Sequence, residues 1–457
     1  MKKSDFEKYL NLAMSTGADF AELFYEKRIN KTYNLLDSKL DRIDSGNSLG
    51  LGIRITKGFE SYYASTNNLD SRNIEETIAN MLKSIPKGKS KKVLLRDLVD
   101  KTKEVKVPHE DYPVEKKKEL LYKIDKTARD YSPLVIQVGI SIIETDSSFT
   151  LANSDGKYIK SNSSLTRLLT TVYAERDGEK QRESVDIAGR CGYELLDDYD
   201  VEKETLKVAK TAVEKLDAVD FKGGEYPVVI AAGFGAVIFH EACGHGLEAT
   251  AVAKHLSVFS DDFGKKIATD KVTLIDDGTI EDAWGSSIID DEGNVTKKNI
   301  LIEKGILKSY LVDQFNSREM NHKTNGCGRR QNYKYPTTSR MSNTFLASGT
   351  DKIDDMIKSI KLGVYCEKLS GGSVQPATGD FNFAVDTARL IENGEVKQML
   401  KGITLIGNSK DILNNVEMVA DDLKKSAGYC GSKSGMIPVT IGQPTIKVSK
   451  ILVGGKE

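Results

Sequence analysis

The sequence predicts an α+β protein in two globular halves. Residues 1–220 read as an N-terminal α/β domain of helices on an antiparallel sheet, and residues 221–457 as a strand-rich C-terminal domain carrying a distorted helix. Three observations lead there. In the first half, segments with helical apolar spacing are separated by long alternating stretches. Lys222-Gly223-Gly224 breaks the pattern near residue 220. Beyond it, short strand-like segments dominate and helices are few.

The first helix opens with Ser4 and Glu7 at capping-box spacing, aligns Phe6, Leu10 and Ala13 on one face, and stops at Gly17. Alternating segments follow from Asp19 to about Ala64, where Gly50, Gly52 and Gly58 mark turns or close backbone approach. A second helix carries Ile74, Ile78, Met81, Leu82 and Ile85, and a third, Val114 to Tyr131, carries Leu121, Ile124 and Ala128. After Pro133 the pattern turns to strands, Val135 to Ile140 and Leu168 to Tyr173, about a turn at Asn153-Ser154-Asp155-Gly156. A helix from Val201 to Leu216 places Leu206, Ala209, Val213 and Leu216 together.

Past the break, Pro227 to Ala231 reads as a buried strand, followed by Gly233-Phe234-Gly235 and an apolar helix containing His240. Strands are expected near 272–275, 300–302, 307–312, 381–385 and 445–448, with helices at Asp351–Ile360 and Asp411–Leu423. Asn393-Gly394 between apolar runs is a tight hairpin turn.

Bulk properties exclude several function classes. Lysine and arginine number 66 against 67 aspartates and glutamates, so no net basic face is expected for nucleic acid or anionic membrane. The Lys116-Lys117-Lys118 run, flanked by Glu115 and Glu119, reads as a solvated helix face. No apolar run is long enough to span a bilayer. Five unpaired cysteines and an N-terminus without an apolar signal core point to a reducing, cytoplasmic setting.

The stretch that carries chemistry is Phe239-His240-Glu241-Ala242-Cys243-Gly244-His245-Gly246. Two histidines flanking a glutamate on one helix are what zinc peptidases use, the imidazoles as ligands and the carboxylate to polarise water. Here the histidines are five apart. On a regular helix that leaves them roughly 140° apart, against roughly 40° for a spacing of four. A shared metal therefore requires the helix to widen or end between them, as a π-bulge does, and Gly244 and Gly246 supply backbone freedom for it. A third ligand is needed if one position is to stay open for water. The candidates are His255, His322, the other cysteines and Glu248. Cys430 stands out because Ala427-Gly428-Tyr429-Cys430-Gly431-Ser432 reads as a flexible loop after a helix, not as an apolar element.

These motifs resemble the TldD/PmbA metalloproteases, on the metal-bearing TldD side. The likeness extends to the Asp276-Asp277-Gly278 and Asp290-Asp291-Glu292-Gly293 turns, Arg340-Met341-Ser342-Asn343-Thr344, Gly379-Asp380-Phe381-Asn382-Phe383, Cys430-Gly431 and Gly442-Gln443-Pro444-Thr445. It covers residues 225–457 and is fainter before them, with Gly50-Leu51-Gly52-Ile53-Arg54 the best anchor. The resemblance implies a zinc peptidase acting on unfolded or short peptides, one zinc per chain held by His240, His245 and Cys430, with Glu241 as general base. It also implies pairing with a homologous subunit that lacks the metal, or a homodimer. Cys243 falls at a packing position. Arg340, Tyr333 or Asn343 could donate to a developing oxyanion, and an exposed sheet edge near His240 would hold peptide backbone. Competing readings are a non-catalytic peptide-binding or regulatory subunit with a structural metal, a regulator of nucleic-acid enzymes, and cysteine nucleophile chemistry.

Overall fold

The alternating stretches from Phe20 onward pair into one long sheet that packs helices on one face, and where residues 50–56 are buried continuously the C-terminal half covers the other face, with Tyr333 on Gly50 and Glu292 on Arg54. The computed structural model describes residues 1–456 and is mixed α+β. The first sheet has seven strands. Glu60–Thr66, Lys39–Lys57, Phe20–Leu36, Val135–Asn153 and Tyr158–Arg176 run in that order, all antiparallel. Val99–Lys101 and Glu179–Gly189 both pair with Tyr158–Arg176.

Two helix pairs cover its two ends. Lys3–Ala13 and Ser71–Leu82 bury Phe6, Leu10, Ile74 and Ile78 against Leu23, Leu51 and Ile53. Val114–Tyr131 and Val201–Glu214 bury Leu121, Ile124, Val208 and Ala209 against Ile140, Leu168 and Val172. Several details depart from expectation. Lys117, in the run read as a solvated face, is buried, paired with Glu144 and set over the Tyr33 and Tyr193 rings, because it lies on the inward face of its helix. Ser4 lies inside the first helix, whose start is marked by Asp5 accepting the Lys2 N–H at 2.7 Å. The fourth helix turns Thr205, Val208, Ala209 and Ala212 inward and leaves Leu206 exposed, because it shares its inner face with a neighbouring helix as well as the sheet. Gly50 and Gly52 lie within a strand, where Tyr333 and Tyr63 press on the backbone: a Cβ on Gly50 would meet the Tyr333 ring at 2.1 Å.

The second half contains two large sheets around one core, and a two-stranded one that pairs Gly328–Arg329 with Thr338–Ser339. Leu362–Val374, Gly224–Ile230, Ile446–Gly454, Thr404–Asn408 and Asp380–Glu392 form a ring, closed by pairing of the first with the last. Asn393 and Gly394, both at positive φ, join Asp380–Glu392 to Glu395–Lys401. The six-stranded sheet has the order Ile306–Leu307, Lys298–Glu303, Leu274–Asp277, Asn343–Leu346, Gly435–Gln443 and Lys424–Ser432. Residues 308–312 leave the sheet, and the helix expected at 411–423 stops at Asn415, after which Val416–Val419 pairs with Ile446–Gly454. A short amphipathic run cannot distinguish helix from strand locally; the pairing partner decides. No helix among the described residues is long and apolar enough to cross a membrane.

The halves are joined by buried charge. Glu183 of the first sheet meets Lys215 at 2.7 Å, Lys368 of the ring, and the Thr387 hydroxyl at 2.9 Å. Burial raises the Glu183 carboxyl, but Lys368 and Lys215 overcome it and bring it to about 2. A carboxylate whose pKa is depressed by folding adds stability above its unfolded value of about 4.3, and that stability fades as pH falls toward the folded value. Glu183→Gln is therefore expected to flatten the fall of denaturation midpoint between about pH 4.5 and 2. An acid limb as steep in the variant as in the wild type would show that these ions add nothing.

Candidate metal centre

Gly233 begins a helical segment that is apolar nearly all round, and that segment packs between the ring and the six-stranded sheet. Ile238, Phe239, Cys243 and Leu247 share one core with Ile230, Phe383 and Leu405 on one side and Leu274, Leu346 and Ile441 on the other. The helix is irregular where the histidine spacing demands it. Val237–Phe239 is α, His240–Gly244 is one π turn, and His245–Leu247 is 3-10. The His245 N–H bonds the His240 carbonyl, closing an i→i+5 ring. The two imidazoles end 5.2 Å apart, nearly perpendicular at 84°.

The role expected for the glycines is corrected. Gly244 has ordinary right-handed backbone angles, φ −56° and ψ −51°. What it supplies is room, since a Cβ there would lie 1.9 Å from Met341 Sδ. Gly246 is likewise pressed by Phe259, at 2.8 Å.

Cys430 is not on a flexible loop. It is buried in the edge strand Lys424–Ser432, opposite Ile437 of the hairpin partner Gly435–Gln443. Its Sγ lies 3.2 Å from His240 Nε2 and 3.1 Å from His245 Nε2. Among the described residues these three form the one His/Cys/Asp/Glu group with converging ligand atoms. Glu241 sits beside them, its Oε2 3.6 Å from His245 Nε2.

Electrostatics set Cys430 apart. Burial pushes a thiol up: alone at Cys243 and Cys366, and with help from neighbouring carboxylates at Cys327 and at Cys191, which reaches about 12. At Cys430 burial acts the same way, but the charges and hydrogen bonds of His240 and His245 outweigh it and bring the thiol well below its ordinary value. A thiolate between two imidazoles is a donor set that suits a borderline-soft divalent metal. Burial raises the Glu241 carboxyl, only partly opposed by His240 and His245. Cys243, with no shift but that of burial, fits a packing role.

The other candidates lie elsewhere or behind the two histidines. His255 is exposed and faces Asp261; His322 packs against Phe263. Glu248 Oε1 lies 3.2 Å from His245 Nδ1 and 3.7 Å from Arg340 Nε, on the far side of the ring from the thiol. That position steadies the imidazole and leaves Nε2 facing Cys430. The suggested oxyanion donors have other partners. Arg340 is fully buried and donates to the Cys430 carbonyl at 2.7 Å and to Ser434 Oγ at 2.8 Å, pinning the edge strand. Asn343 Nδ2 donates to the Asp277 carbonyl and Ser286. Tyr333 packs on Gly50, and its N–H donates to Glu26. The acidic-glycine turns also build scaffold: Asp276 accepts from Ser342 and Thr344, and Asp290 from the N–H groups of Glu292, Asn294 and Gly328. No periodicity signals such long-range partners.

Comparison with known proteins is consistent along the whole chain. Residues 223–455, 107–218 and 21–85 match the profiles of the PmbA/TldA metallopeptidase C-terminal domain, central domain and domain 1. A metalloprotease TldD homolog of Buchnera aphidicola is 33% identical over 96% of this chain and 93% of its own. One from Haemophilus influenzae matches at 33% with the same coverages. A zinc metalloprotease TldD homolog of Saccharolobus solfataricus is 28% identical over 98% and 99%. Two solved structures share the fold at a TM-score of 0.79. One is a candidate DNA gyrase modulator of Thermotoga maritima, 19% identical over 99% of this chain and 100% of its own. The other is TldE of Thermococcus kodakarensis, 20% identical with the same coverages.

Proposed function

The chain belongs to the PmbA/TldD metallopeptidase family, and on that premise we propose that it is a zinc-dependent peptidase subunit acting on unfolded or short peptides. The observation that carries this reading is the convergence of His240, His245 and Cys430, 190 positions apart at the extreme, on one point beside a buried carboxylate. These three residues would hold the metal. Zinc so held supplies Lewis acidity, which activates water near neutral pH and polarises a carbonyl.

The chain's own groups do the rest. Glu241 takes the proton of the attacking water and returns it to the leaving amine. Its raised carboxyl pKa moves it toward the working range of a general base. Glu248 and Arg340 keep His245 and the Cys430 strand in register. Lys424–Ser432 is the last strand of its sheet, so a peptide can add to it through main-chain bonds with little demand on sequence. By the family resemblance the chain assembles with a homologous subunit lacking the ligand set, with a homodimer as the simpler variant. Five free cysteines support a reducing, cytoplasmic setting.

Elemental analysis of wild type and Cys430→Ala tests the centre. The expected result is one zinc per wild-type chain and loss of most of it in the variant. Full retention would remove Cys430 from the ligand set. Zinc in the wild type without peptide hydrolysis, alone or with a partner, would instead favour a structural metal in a peptide-binding subunit.

A further inference from the structure

A cleft of about 350 Å³ separates the hairpin that carries Cys430 from the face of the N-terminal sheet. Tyr429 and Met436 form one wall and Ser163 part of the other, and four arginines, Arg28, Arg190, Arg329 and Arg330, line it. Two of these are neutralised: Arg28 meets Glu26 at 2.9 Å and Arg330 meets Glu22 at 2.5 Å. Arg190 and Arg329 have no carboxylate within 4.0 Å among the described residues.

Arg329 spends two donors on main-chain carbonyls, those of Met341 and Pro438. Arg190 makes one side-chain bond, from Nη1 to Ser163 Oγ at 2.7 Å, and its buried Nε has no partner. A guanidinium has five donors and cannot shed its charge, so leaving it under-bonded away from water is costly. Two carboxylates of the cleft stand outside any ion pair: Asp290, which burial and the neighbouring Glu292 push up to about 7, and Asp291, whose Oδ2 already accepts the Arg330 N–H. The balance is therefore an excess of positive charge walled by protein, a setting that favours an anion.

The location says which anion. Successive residues of a strand face opposite sides. Cys430 points at the histidines while Tyr429 lines the cleft. An extended peptide added to this edge strand presents alternate side chains to the same two sides. We propose that the cleft is a carboxylate-binding subsite in which Arg190 and Arg329 receive a carboxylate of the bound peptide. This deepens the peptidase reading and rests on it. Burial, then the like charge of Arg329, lowers the Arg190 guanidinium to about 9, with Asp291 only partly opposing, so a bound carboxylate would relieve a cost already present.

The carboxylate has two sources, the peptide C-terminus or an acidic side chain. The test uses the full zinc-loaded chain with Glu241→Gln in the background to prevent turnover. Fluorescein-labelled hexapeptides of one Ala/Ser sequence carry a free or amidated C-terminus, crossed with Glu or Gln at one position. Binding is read by anisotropy. The expected result is at least about tenfold tighter binding of carboxylate-bearing peptides. A preference that follows the terminus assigns the C-terminus, and one that follows Glu assigns the side chain.

Arg190→Met should remove the preference and leave neutral-peptide affinity unchanged, and Arg190→Lys should keep part of it. Since Arg190 is under-bonded, Arg190→Met should melt no lower than its parent; a lower Tm with the preference intact would make it a structural strut and overturn the proposal. Equal affinity for acidic and neutral peptides would overturn the subsite while leaving the peptidase reading. Failure of every peptide to bind would overturn both.

Discussion

Glu241→Gln is expected to lower kcat for peptide hydrolysis by about 10²- to 10⁴-fold, the range removed with a general base, while zinc content stays at the wild-type level. Glutamine keeps the shape and hydrogen-bonding volume of the side chain and removes only its ability to accept a proton. The metal should not notice, because the converging ligand atoms belong to His240, His245 and Cys430 and the nearest Glu241 oxygen stands 3.6 Å from His245 Nε2. Turnover of an unstructured peptide, measured beside metal content, separates the cases. Activity within threefold of wild type would hand the base role to another group. Loss of zinc together with activity would recast Glu241 as part of the ligand set.

The second large effect is on stability. Arg54→Met is expected to cost about 3–5 kcal/mol, the range found when one partner of a buried ion network is removed. Arg54 projects from the N-terminal sheet and donates to Glu22 at 2.9 Å and to Glu292 of the C-terminal half at 2.7 Å, and all three are essentially inaccessible to water. Arg330 contributes a second guanidinium to Glu22. Burial raises the Glu22 carboxyl, but Arg54 and Arg330 overcome it and hold the group below its usual value. At Glu292 burial already wins over Arg54, so removal of the arginine leaves that carboxyl with still less support. Urea denaturation should show the loss, and adding Glu292→Gln to Arg54→Met should recover part of it, since the orphaned charge goes too. A loss under about 1 kcal/mol, typical of solvated ion pairs, would mean that water reaches the network.

Much of the architecture was legible from local pattern. Helical spacing at Val114–Tyr131 and alternation through Phe20–Lys57 each encode a buried face, and Asn393-Gly394 encodes a turn through its tolerance of positive φ. The widened turn at His240–Gly244 was legible too, because 3.6 residues per turn cannot bring histidines five apart to one side. Misreadings fell where two structures satisfy one local pattern. Val416–Val419 continues a helical stripe but finds a strand partner, and the glycine- and polar-flanked Cys430 belongs to a buried hairpin. A few residues of sequence carry the propensity of a segment and not the identity of its neighbour.

By itself, then, the sequence determined the α+β class, the irregular helix and the residue types able to bind a metal, since period and composition depend only on nearby residues. Tertiary structure alone decided that Cys430 meets His240, that Glu248 and Arg340 stand behind His245 and the Cys430 strand, and that Arg190 and Arg329 share a cleft. Those contacts join residues far apart in the chain, and they exist only because sheet order and a shared core close the loops between them.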